Sequence, residues 1–97
     1  MFTLTVPAAM LDKLRAMLAE EDDGTCVRLR EYKHGSGCSS KVILGLGMEE
    51  QDMDEDVRVD VEDVPFIAEK DFLVKYGTVF TLSFNDNNEV LLFAEQA

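Results

Sequence analysis

The chain has 97 residues, 46% of them hydrophobic, and a formal net charge of −11 from twenty acidic and nine basic side chains. That length supports one domain, 1–97, with one core and no need of a disulfide to hold it, and the charge argues against nucleic acid or an anionic membrane as partner, since both are bound mainly through Lys and Arg. No apolar run approaches the roughly 18 residues that cross a bilayer, and the start, MFTLTVPAAML, has neither the basic nor the long apolar region of a secretory leader. A cytoplasmic location is therefore expected.

Phe2 to Thr5 reads as a short strand running into a helix from about Pro7 to Glu20, with Met10, Leu11, Leu14, Met17 and Leu18 on one helical stripe. Thr5 is the expected cap. Glu20 to Asp23 put negative charge at the unfavourable end of the helix dipole, where Gly24 can terminate it. From Cys26 the period changes to two. Val27, Leu29 and Glu31 alternate with Arg28, Arg30 and Tyr32, as in a strand with a solvated face.

HGSGCSS (34–40) is too rich in Gly and Ser to be anything but a loop. Lys41 to Met48 is the next strand, with Val42, Leu44, Leu46 and Met48 on one face and Ile43, Gly45 and Gly47 on the other. Two glycines on one face predict a bulge or the close approach of another backbone. EEQDMDED (49–56) is a run of carboxylates expected to be a solvated connection. Val57 to Val61 and Val64 to Ile67 read as strands, and Ala68 to Val74 as one or two helical turns. Thr78 to Phe84 and Glu89 to Ala94 form a hairpin about the turn NDNN. This order predicts an α+β fold, mainly β, with most of the chain in antiparallel sheet.

The stretch VRLREYKHGSGCSS (27–40) resembles the signature of the A-type iron–sulfur carriers, the HesB-like domain family. There a strand leads to a Gly-rich loop with one cysteine, followed by a small polar residue and another strand; Gly37, Cys38 and Ser39 stand at those positions. The resemblance extends over most of the chain: the preceding helix, the acidic linker, the strand VRVDV, the segment VPFIAEKDFLVKYG and the final hairpin follow in the same order. It implies a HesB-like domain with one N-terminal helix followed by mixed or antiparallel strands, which holds an iron–sulfur cluster or iron on its way to a recipient protein. The family's ligands are the signature cysteine and a Cys-Gly-Cys pair in a C-terminal tail. No cysteine follows Cys38 in this sequence, so only Cys38 carries over, and a self-sufficient three-cysteine carrier is not expected.

Cys38 is thus the candidate thiolate ligand. Its rival reading is a cysteine retained in a loop that needs a small residue. His34, four residues earlier, is a second candidate: one His and one Cys from each chain of a symmetric homodimer would supply two nitrogens and two sulfurs, a set that suits zinc or a mixed-ligand iron–sulfur centre. A solvated loop histidine is the plainer reading. Cys26 opens a strand and reads as a buried, inert cysteine, although a disulfide to Cys38 is open on sequence alone.

Asp52, Asp54 and Asp56 have the spacing that opens a calcium loop. Val57 stands where that loop needs Gly and Asp63 where it needs Glu, so a solvated acidic loop is expected instead. Arg28, Arg30 and Lys33 form a basic cluster whose ordinary fate is pairing with the acidic loop. No nucleophile elbow, phosphate-cradling loop or HExxH motif is present, and no enzyme activity is expected. The sequence therefore leads to iron–sulfur cluster or metal handling, with the cluster or iron shared across a homodimer or with a partner protein. The alternative is a non-catalytic protein-interaction module that keeps the fold without a metal.

Overall fold

The computed structural model describes residues 1–34 and 41–95, with His34 described in its main chain only. In chain order the elements are β1 (Thr3–Thr5), α1 (Ala8–Ala19), β2 (Thr25–His34), β3 (Lys41–Glu50), β4 (Asp56–Val61), β5 (Val64–Glu69), α2 (Lys70–Tyr76), β6 (Val79–Phe84) and β7 (Val90–Ala94). They build two sheets, one in the order β1-β6-β7 and the other in the order β3-β2-β5-β4. Most neighbours are antiparallel, but β1 runs parallel to β6 and β2 parallel to β5, so both sheets are mixed. The sheets approach each other where β3 packs on β7.

Alternation along each strand places the core. In the larger sheet Met48, Val27, Phe66 and Val59 lie in one row across four strands, with Val27 and Phe66 fully buried. Helix α1 covers this face with Met10, Leu11 and Leu14. In the last turn Leu18 still packs against the core, while Met17, on the same stripe, is 42% exposed. Phe80 of β6 stacks on Phe72 of α2 and meets Phe2 edge to face at centroid distances of 5.6 and 6.2 Å. These rings tie the smaller sheet to α2.

Several local expectations need correction. Thr5 does not cap α1: it is paired with Thr81 in the sheet, and Pro7 stands at the N-cap with no side-chain hydrogen bond. Pro7 serves through its carbonyl, which accepts from the Met10 and Leu11 amides. Gly24 does not end the helix, which stops at Ala19; it takes a left-handed turn (φ 91°) immediately before β2. The expected turn or two after β5 is helix α2, which begins two residues later than expected, at Lys70.

The two glycines of β3 mark no bulge, because β2 and β3 stay in unbroken register from Thr25↔Glu50 to His34↔Lys41. What approaches them is a side chain. The Tyr32 ring lies on Gly45, where an added Cβ would meet the ring at 2.9 Å, and the Tyr32 hydroxyl donates to the Leu46 carbonyl at 2.6 Å. The Arg30 stem lies over Gly47 in the same way, and its guanidinium sits 4.8 Å from the Tyr32 ring centroid. Gly45→Ala is expected to lift the ring and destabilise the fold by about 1 kcal/mol. In a Tyr32→Ala background the same change should cost much less. Urea unfolding of the four proteins measures that coupling, and additive effects would show that Tyr32 is not what Gly45 accommodates.

Candidate functional site

The face of the larger sheet opposite α1 carries a connected set of charged groups. On β2, Arg28 and Arg30 point to this face beside Gly47 and Gly45 of β3, Ile67 of β5 and Arg58 of β4. Arg28 is only 7% exposed, and a buried guanidinium must be paired. It reaches past β5 to β4, where Asp56 accepts from both terminal nitrogens at 2.6 and 2.7 Å. Glu69 lies 3.8 Å away, and Glu49 Oε1 stands 3.1 Å from Nε. The Glu49 oxygen is off the axis of that N–H, which therefore makes no hydrogen bond. Glu49 takes its own hydrogen bond from Arg30 at 2.8 Å.

Asp56 also accepts from the Asp52 amide, and Asp52 accepts from the amides of Asp54 and Glu55. The D-x-D-x-D stretch is thus a tight turn in which the Asp52 and Asp56 carboxylates serve the chain's own donors. Asp56, expected in a solvated connection, is buried. The paired guanidinium, followed in weight by the Asp52 amide, holds the Asp56 carboxyl below the usual range against the opposing effect of burial.

Beyond Arg28 the sheet opens. β5 pairs with β2 only at Val27↔Phe66 and Arg28↔Ile67, then passes into α2. The gap is a groove of about 290 Å³ between Arg28–Glu31 on one side and Glu69, Asp71, Phe72, Lys75 and Tyr76 on the other. Glu31 spans it, accepting a hydrogen bond from the Tyr76 hydroxyl and two from Lys75 Nζ at 3.1 and 3.3 Å. The Tyr76 bond, then Lys75, lowers the Glu31 carboxyl pKa, and the same contacts raise those of Tyr76 and Lys75.

No family model matches the chain. No curated protein matches it. Among solved structures it is similar to Escherichia coli SufA, a protein involved in biosynthesis of iron–sulfur clusters. That likeness has a TM-score of 0.74 at 15% identity and covers 98% of this chain and 82% of that one. The chain has a SufA-like fold. The α+β, mainly β architecture expected from the residues, with its N-terminal helix and mixed strands, agrees with this.

Within the SufA-like fold the residues singled out in the sequence fall in different places. Cys38 lies outside the described residues. His34 closes β2 opposite Lys41, and its side chain is likewise outside them. Among the described residues no three or more His, Cys, Asp or Glu side chains gather where they could hold a metal ion, the acidic turn included. Cys26 is a free thiol, 2% exposed, with its pKa raised chiefly by burial. It sits on the Arg28 face and stands apart from the main apolar cluster. The disulfide to Cys38 left open by the sequence involves a residue outside the described ones.

The expected pairing of the β2 arginines with the acidic stretch 49–56 is found, Arg28 with Asp56 and Arg30 with Glu49. Sequence reasoning missed the burial of the Arg28–Asp56 pair and the Glu31–Tyr76–Lys75 clasp. The clasp joins residues far apart in the chain, and the one signal for the burial was an arginine flanked by Val27 and Leu29 in an apolar strand.

Asp56→Asn leaves Arg28 buried and incompletely paired, and should cost about 3–5 kcal/mol in urea unfolding. The joint change Arg28→Met with Asp56→Leu should cost far less, because it removes both charges. Since the Asp56 carboxyl is lowered on folding, its contribution is fully present above the unfolded value of about 3.9 and declines as pH falls through the folded value. In the Cys38→Ser variant, where Cys26 is the sole thiol, iodoacetamide should label the protein only after unfolding. Rapid labelling of the folded variant would contradict the burial of Cys26.

Proposed function

We propose that this protein takes part in iron–sulfur cluster or iron handling and does so only together with another molecule that completes the ligand set. The observation that carries this reading is the SufA-like fold over 98% of the chain. The sequence resemblance places Cys38 at the ligand-bearing position of the loop after β2. One thiolate cannot close a four-coordinate site. The remaining ligands come from a second copy of the chain, from a small thiol or from a partner protein, and His34, at the end of β2 four residues before Cys38, is the next donor available. The cluster or iron is cargo in this scheme, and no catalytic step is assigned to any residue.

A second reading keeps the fold and drops the metal: a non-catalytic interaction module. It is favoured by the far end of the β2–β3 hairpin, where Val42 and Ile43 are 52% and 49% exposed beside the half-exposed Tyr32. Among the described residues no helix is long and apolar enough to cross a membrane.

Anaerobic reconstitution with iron and sulfide separates the two readings. The handling reading expects a visible chromophore and bound iron in stoichiometric amount, lost in Cys38→Ser, with a shift in sizing if a second copy supplies ligands. Retention of the chromophore by Cys38→Ser would refute the ligand assignment. A colourless, iron-free protein, with or without added glutathione, would leave the interaction module as the function.

A further inference from the structure

We propose that the open edge of β2 from Arg30 to Lys33, on the side that faces α2, is a docking strand for an extended basic segment of a partner protein. The inference concerns the metal-free fold and holds whether or not Cys38 carries cargo.

The edge is open by construction. β2 is paired with β3 along its whole length, while β5 leaves it after Arg28. From there every second residue turns a backbone N–H and C=O toward the groove with no ladder partner among the described residues. Arg30, Glu31, Tyr32 and Lys33 are all exposed. Side chains do not shield the edge either. Arg30 and Tyr32 lean the other way, over Gly47 and Gly45 of β3. Glu31 belongs to the core-facing side of the strand, opposite Leu44, so its bonds to Lys75 and Tyr76 hold α2 beneath the gap. An incoming strand therefore meets free backbone at its edge and helix side chains below, the arrangement used in β-augmentation.

Charge selects the occupant. Of the basic groups lining the groove, Arg28 is matched by Asp56, Arg30 by Glu49 and Lys75 by Glu31, while exposed Lys33, at the far end of the edge, faces the Glu31 carboxylate. Glu69, its side chain 60% exposed, and the exposed Asp71 remain at the rim, Glu69 with only a 3.8 Å contact to Arg28. On a protein of net charge −11 these two carboxylates favour Lys and Arg on the incoming strand and repel an acidic one.

The probe is an acetylated, amidated heptapeptide of alternating Lys and Val, titrated into the metal-free, isotope-labelled Cys38→Ser chain at low salt. The amides of residues 30–33 should shift in the NMR spectrum and gain protection from hydrogen exchange. The matching Glu–Val peptide should leave them unchanged. The double variant Glu69→Lys with Asp71→Lys, checked for folding by circular dichroism, should bind the Lys–Val peptide about tenfold more weakly. Three results would each overturn the proposal: no binding at millimolar peptide, shifts confined to the acidic turn or the hairpin tip, or undiminished affinity in the folded double variant. Loss of iron binding does not enter this test, so its outcome is separate from that of the cargo reading.

Discussion

A guanidinium placed on an apolar strand between Val27 and Leu29 sets the terms for one whole face of the larger sheet. Arg28 cannot stay charged under cover without carboxylates close by, and it recruits Asp56 from two strands away. That demand fixes the chain between β3 and β4, because Asp56 also holds the Asp52 amide and Asp52 ties the next turn. It draws Glu49 inward, and Glu49 in turn orients Arg30, whose guanidinium lies against the Tyr32 ring. The ring then needs a flat surface, which Gly45 provides. One buried charge is thereby connected, contact by contact, to the absence of a side chain on the neighbouring strand.

The same sequence of contacts leaves β2 lopsided. Beyond Arg28, which reaches across β5 to Asp56, the side chains of its exposed face, Arg30 and Tyr32, lean toward β3. The edge facing β3 is paired along its length, while among the described residues the opposite edge is paired for two residues and then unpaired. Proteins usually protect such edges with a charged residue pointing inward, a bulge or a covering helix. Here α2 covers only the core-facing side, held by the clasp on Glu31. The openness of the groove and the position of α2 are two results of one event, the early departure of β5.

The alternation of Val27 and Leu29 with Arg28 and Arg30, and of Leu44 and Leu46 with Gly45 and Gly47, is a local property, and it placed the strands and their faces correctly. The helical stripe of Met10, Leu11 and Leu14 is local in the same sense. Thr5 and Gly24 were misread because each is a good local terminator, yet the sheet had a prior claim on Thr5 and the approach to β2 on Gly24. The glycines of β3 were correctly noticed and wrongly explained. Spacing shows that something comes close and cannot show that it is Tyr32 from the paired strand. The carboxylate run 49–56 looked like uniform solvated charge, since composition alone does not single out the one member, Asp56, that a distant arginine requires.

A fold shared with SufA at 15% identity means that two very different sequences meet the same packing constraints. It does not oblige them to share chemistry, because function resides in particular side chains placed on a scaffold. In this chain the scaffold's polar face is closed on itself, with Asp56 and Glu49 spent on Arg28 and Arg30, and on the other face Glu31 is spent on Lys75 and Tyr76. Carboxylates already neutralised by fixed cations are poor competitors for a metal ion, which would have to displace a charge-assisted hydrogen bond to reach them. Within the groove, Glu69 and Asp71 stand at the rim outside these close pairs.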